Sequence, residues 1–111
     1  MPHSSKRKGN RYEREIVEDA EAKGLEAERA FASNGRALGE QECVDLLIRG
    51  RADMVTDVVR IQAKRRKSIA QYLTPPEGAD VTVIREDRGQ SLVVCPLDEY
   101  LDLLRAKTDE T

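Results

Sequence analysis

Three residue types suited to metal and phosphate chemistry fall on stretches that would aim them at one place. Residues 59–67 read Val-Arg-Ile-Gln-Ala-Lys-Arg-Arg-Lys, beginning as a strand and ending as a cationic run. Strand side chains alternate faces with period two. Val59, Ile61 and Ala63 therefore share a face that can enter a core, while Arg60, Gln62 and Lys64 share the other. That second face sets a neutral oxygen ligand beside an ammonium group. Upstream, Asp45 interrupts the apolar run Val44-Asp45-Leu46-Leu47-Ile48. A carboxylate in a strand that reads as buried needs a partner, because burying an unpaired charge is costly. The expectation is that Asp45, Gln62 and Lys64 converge on a metal ion and a phosphate.

The elements that must position these groups can be read along the chain. Asn10 is a good helix N-cap with Glu13 three residues later, the spacing of a capping box. The helix is expected to run to about Lys23, with Gly24 as its stop. Glu13 then lies on or beside the inward stripe of Tyr12, Ile16, Val17 and Ala20, so it can cap the helix and also present a carboxylate to a site. Residues 25–31 alternate as a half-buried strand. Residues 32–39 are small, polar and glycine-bearing, a loop able to approach another backbone or a ligand closely. Strands over 44–48 and about 55–64 should pair as an antiparallel hairpin. Ser68 is placed to cap a short helix over 69–73, ended by Thr74-Pro75-Pro76. Strands over 81–85 and 92–95 follow. Pro96 opens a last helix with Asp98 and Glu99 in its first turn and an apolar stripe of Leu97, Tyr100, Leu101 and Leu104. The order is helix, three strands, helix, two strands, helix, an α/β layer fold on a mixed sheet.

A length of 111 residues suffices for one domain with a modest core. The expected division is a basic flexible arm over 1–9, a single domain over 10–107 and a frayed tail over 108–111. With 39% hydrophobic and 36% charged residues, no secretory signal and no long apolar run, the chain reads as cytoplasmic. Cys43 and Cys95 are expected as buried free thiols, since a small secreted scaffold would carry more cysteines. The sole histidine, His3, gives no support to a cysteine zinc site. The net charge of -2 hides segregation. Lys6, Arg7, Lys8, Arg11 and Arg14 cluster near the start, and Lys64, Arg65, Arg66 and Lys67 in the middle. Two cationic clusters in an otherwise acidic chain are an electrostatic footprint for nucleic acid.

Four segments in order resemble the PD-(D/E)XK nuclease superfamily and, within it, the archaeal-type Holliday-junction resolvases. Lys8-Gly9-Asn10-Arg11-Tyr12-Glu13-Arg14-Glu15 resembles the opening Lys-Gly pair followed by Glu-Arg on the first helix. Arg29-Ala30-Phe31-Ala32-Ser33 resembles the segment in which a serine follows the first strand. Val44-Asp45-Leu46-Leu47 resembles the Pro-Asp-apolar-apolar segment, and Ile61-Gln62-Ala63-Lys64 the Glu-x-Lys segment. Val44 replaces a proline that carries no chemistry. Gln62 replaces an acid, a known variant in the superfamily, and its carbonyl can ligate a hard cation without contributing charge.

The resemblance implies a restriction-endonuclease-like mixed five-stranded sheet flanked by helices, in an endonuclease that uses Mg²⁺, with Mn²⁺ able to substitute. Its substrate would be DNA, foremost four-way junctions. Asp45 and Gln62, helped by Glu13, would hold the metal, and Lys64 would position the nucleophile and stabilise developing charge. Asp53 and Asp57 could in principle substitute as acids. Lys6, Arg7, Lys8, Arg11 and Arg14 would grip DNA on one side and Arg65, Arg66 and Lys67 on the other, with Ser33 and Arg36 as candidates to touch the scissile strand or the metal shell. Resolving a four-way junction takes two cuts, and a chain with one site and no internal repeat then implies a two-fold homodimer. The competing reading is a DNA-binding module of the same fold that has lost catalysis, with Gln62 as the trace of that loss. A plainer one is a small intracellular protein whose basic runs are solvated faces.

Overall fold

The computed structural model describes residues 2–30, 34–49 and 58–109, with 2–9 and 107–109 by backbone alone. Helix α1 spans Pro2–Ala22. It starts eight residues before the expected cap, because proline is well suited to the first helical position and the serines, lysines and arginines that follow permit helix. Asn10 is thus interior to the helix and not its N-cap, and the capping-box role of Glu13 falls with it. The other end is as expected. Gly24 adopts φ +83°, its amide donates to Glu21 O at 3.0 Å, and the Leu25 amide donates to Ala20 O at 3.0 Å. This pair of bonds is a Schellman motif, which requires the left-handed residue that glycine supplies. It turns the chain directly into β1.

Strands β1 (Glu26–Arg29), β2 (Leu46–Arg49) and β3 (Val59–Ile61) form an antiparallel sheet in the order β1-β2-β3. Ala27 pairs with Ile48 and Arg29 with Leu46; Leu46 pairs with Ile61 and Ile48 with Val59. The expected hairpin of the second and third strands is therefore present, with shorter strands than the alternation suggested. Alternation assigns the faces: Ala27, Leu46, Ile48, Val59, Ile61 and Ala63 join Ile16 and Ala20 of α1, Leu25, and Leu101 of the second helix in one core. Helix α2, Leu97–Asp109, follows Pro96, whose carbonyl accepts from the Glu99 and Tyr100 amides. Leu97, Leu101 and Leu104 of the expected stripe face the core. Fully burying Leu46, Ile48 and Leu101 contributes about 1.5–3 kcal/mol each.

Two expectations need correction. The five strands do not make one mixed sheet. β4 (Thr82–Ile84) and β5 (Leu92–Val94) form a separate antiparallel pair, packed on the turn at 71–73. Four consecutive cations, Lys64 to Lys67, follow β3 just beyond its end, and charged side chains of that kind blunt an edge against further pairing. The short helix over 69–73 is a single 3₁₀ turn, Gln71–Leu73, capped by Ala70 without a side-chain bond, so Ser68 is not its cap. Pro75 and Pro76 stand too close for a longer helix. Both cysteines are free, as expected, but neither is buried: Cys43 is exposed and Cys95 half-buried. Cys43 sits in the turn before β2, outside the ladder that would have covered it.

Candidate functional site

Asp45 immediately precedes β2 and is held from three sides. Its amide donates to Ile61 O at 2.8 Å, and its carbonyl accepts from the Ala30 amide at 2.9 Å. Its carboxylate Oδ2 accepts from the Ala63 amide at 2.7 Å. Leu46 already pairs with Ile61, so two successive residues of the β2 segment address one residue of β3. Such a slip is a bulge-like feature, and bulges re-aim side chains. Here it turns the Asp45 carboxylate onto the backbone between Gln62 and Lys64. A charge-assisted bond of this length orients the group and satisfies one oxygen. Asp45 is half-buried rather than fully enclosed.

Exposure along β3 alternates as expected: Val59, Ile61 and Ala63 are half-buried, while Arg60, Gln62 and Lys64 are exposed. Asp45, Gln62 and Lys64 are thus brought to one end of the β2–β3 ladder. The run Arg65, Arg66 and Lys67 continues from it, fully exposed, and no ion pair engages these cations among the described residues.

Glu13 is placed differently. It is buried, 4% exposed, on the stripe of α1 where the periodicity put it. Arg29 Nε donates to its Oε1 at 3.4 Å, and Arg29 Nη2 donates to Asn10 Oδ1 at 3.3 Å. Arg29 pairs with Leu46 on the helix-facing side of the sheet. Glu13 is therefore engaged by Arg29, a partner beyond the capping and metal roles expected of it. The signal was available: Leu25, Ala27 and Arg29 share a strand face, so Arg29 is a cation turned inward toward an inward-turned glutamate. Burying the Glu13 charge is tolerated because the half-buried Arg29 pairs with it.

Residues 34–44 form a loop closed on itself. Asn34 caps the 3₁₀ turn Gly35–Leu38 through Oδ1, which accepts from the Arg36 amide. The Glu40 amide donates to Gly35 O at 2.8 Å. A Cβ on Gly35 would lie 2.1 Å from Gln41 O and 2.9 Å from the Val44 Cβ, which is the close backbone approach expected of this stretch. Arg36 is exposed and lies 3.7 Å from Glu42. The loop is tied to β3 where Arg60 Nε donates to Glu40 Oε1. Arg11 and Arg14 are exposed on α1. The side chains of Lys6, Arg7 and Lys8 and the whole of Ser33, Asp53 and Asp57 lie outside the described residues.

Among the described residues no three His, Cys, Asp or Glu side chains cluster as a metal cage. The donors at the ladder end are oxygens, one carboxylate and one amide carbonyl, suited to a hard cation that retains several waters. No helix among the described residues is long and apolar enough to cross a membrane.

A family model described as archaeal Holliday junction resolvase (hjc) matches residues 4–98. The match spans all four segments quoted above, from Lys8 to Lys64. No curated protein and no solved structure gives a significant match.

Proposed function

Because the chain belongs to the archaeal Holliday junction resolvase family, nucleases that act on DNA junctions, we propose that it is a metal-dependent endonuclease hydrolysing phosphodiester bonds in four-way DNA. The observation that carries this reading is the Asp45 carboxylate held on the Ala63 amide, between Gln62 and Lys64. It presents a fixed acid, a neutral oxygen donor and an ammonium at one ladder end, next to three cations that no ion pair engages among the described residues.

The donor set fits Mg²⁺ or Mn²⁺. Asp45 Oδ2 is used by Ala63, which leaves Oδ1 for a ligand, and the Gln62 carbonyl is exposed. Asp45 and Gln62 would hold the ion, and Glu13 would help, its carboxylate shared with Arg29. When bound, the ion would lower the pKa of a water and polarise a phosphoryl oxygen. Lys64 orients the attacking water and stabilises charge as it develops on the phosphate. Arg65, Arg66 and Lys67 hold the neighbouring backbone, and Arg11 and Arg14 approach from α1. The Ala63 amide keeps Asp45 from rotating away.

A second reading, a DNA-binding member without catalysis, is favoured by one observation. With Gln62 neutral and Glu13 bound to Arg29, Asp45 is the one acid at the ladder end not neutralised by a cation among the described residues. Incubation with Mg²⁺ and a panel of linear duplex, flap, splayed and four-way DNA separates the two. Nicking concentrated on the four-way substrate supports the nuclease. Salt-dependent binding without nicking supports the module.

Two cuts per junction call for two sites, and we propose that a two-fold homodimer supplies them. Val83 and Val93 of the second sheet are exposed large apolar residues, 63% and 65% exposed. They pair directly across the strands and so share one face of that sheet, which is where we place the dimer contact.

A further inference from the structure

We propose that Arg60 is a phosphate-contacting residue of the DNA-binding face, held in its contacting orientation by Glu40 acting as a positioning residue. The proposal rests on the nuclease reading above and extends it to two residues outside the motifs.

Three observations lead to it. Arg60, Gln62 and Lys64 are alternate residues of one strand and are all exposed, so Arg60 lies on the face that carries the site, two residues from Gln62. Its guanidinium is bonded through Nε alone, to Glu40 Oε1. Among the described residues no partner takes Nη1 or Nη2. Finally, the two partners differ in exposure: the Glu40 side chain is 19% exposed and that of Arg60 is 56% exposed. The carboxylate is the sheltered end and the guanidinium the projecting one.

A guanidinium carries five N–H donors in a planar fork that matches a phosphate in a bidentate contact. Anchoring Nε to a sheltered carboxylate removes rotamer freedom and leaves the two terminal nitrogens directed outward. Glu40 is itself fixed. Its amide bonds to Gly35, the preceding Gly39 closes the turn in the left-handed region at φ +77°, and Gly35 packs against Gln41 and Val44. The same loop ends at Asp45. One rigid segment therefore positions both the acid of the site and a cation beside it. The plain alternative is a surface ion pair that only pins the loop, in which case Glu40 cancels the Arg60 charge toward DNA. The two accounts predict opposite signs for removing Glu40.

The test is binding of the full chain to a four-way junction in EDTA over a range of NaCl concentrations, for wild type, Arg60→Ala, Arg60→Lys and Glu40→Ala. Thermal unfolding of each variant checks that it folds. Arg60→Ala is expected to bind several-fold more weakly, with a log-log salt slope reduced by about one, the share of one phosphate contact. Arg60→Lys should keep the slope and lose part of the affinity, because a point charge replaces the fork. Glu40→Ala should weaken binding although it removes a negative charge. Wild-type affinity and slope in Arg60→Ala, or tighter binding by Glu40→Ala, would overturn the proposal. Should Arg60→Ala not fold, Arg60→Lys decides alone, and affinity equal to wild type refutes the contact. A wild type that shows no salt-dependent junction binding overturns the nuclease reading, and this inference with it.

Discussion

In the proposed mechanism Asp45 carries the heaviest chemical demand of any side chain. It combines a ladder position, a backbone bond to β3 and a carboxylate oxygen left for a ligand. Asp45→Asn should therefore reduce junction cleavage by more than about 100-fold while binding survives, since the amide still accepts from Ala63. Parallel loss of affinity and activity would mean that Asp45 is only structural. Lys64→Ala should lower cleavage by about 10²–10³-fold, with less effect on affinity than removing Arg65 and Arg66 together. Gln62→Glu should retain cleavage and lower the Mg²⁺ concentration needed, because a carboxylate adds charge to the donor set. Gln62→Ala should cleave poorly at limiting Mg²⁺, and parent-like activity there would remove Gln62 from the site. These residues are legible in the sequence because their strands alternate strictly and an acid in an apolar run is conspicuous. The Arg29–Glu13 bond was accessible to the same reasoning. Glu40 was not, since its contact with Arg60 depends on how a loop closes, and loops have no period.

Among the elements, the two helices and the β2–β3 hairpin follow from apolar periodicity. The start of α1 and the second sheet do not. Helix starts depend on marginal propensities, and four consecutive cations after Ala63 prevent the sheet from growing in the way a five-strand count suggests. The loop at 34–44 makes a sharp prediction. A Cβ on Gly35 would meet Gln41 O at 2.1 Å, and a backbone atom cannot swing aside as a side-chain tip can. Gly35→Ala should destabilise the fold by about 1–3 kcal/mol, read as a lower urea midpoint. The join between α1 and α2 makes another. Lys23 Nζ bonds Asp102 and Asp98, both at 2.8 Å, and the Asp102 bond first, then that of Asp98, raises the lysine pKa above its ordinary value. The ammonium form is favoured in the fold, so this contribution is fully present below about pH 10.4, the unfolded lysine value, and is lost as pH rises through the higher folded value. The gap in urea midpoint between wild type and Lys23→Met should accordingly be constant from pH 7 to about 10 and close only as pH rises past the folded lysine value. A gap that persists well above that range would show that the aliphatic stem, not the charge, joins the helices.

At the scale of the whole molecule, one small core holds two helices on one face of a three-stranded sheet, and the second sheet leaves Val83 and Val93 exposed on one face. A two-fold dimer through that face would bury on the order of 800 Å² per partner. Light scattering at micromolar concentration should report twice the chain mass, and Val83→Glu with Val93→Glu should return the monomer without unfolding it. A wild-type protein that stays monomeric with and without junction DNA would exclude paired cutting by a preformed dimer. We propose that the Asp45, Gln62 and Lys64 cluster makes this chain a junction-cutting nuclease. The most direct measurement is strand-specific mapping of products from an end-labelled four-way junction incubated with Mg²⁺, for wild type and Asp45→Asn side by side. The account predicts symmetry-related nicks on two opposing strands for wild type and none for the variant, with linear duplex left intact by both. An intact junction with wild type, or identical products from Asp45→Asn, would contradict it.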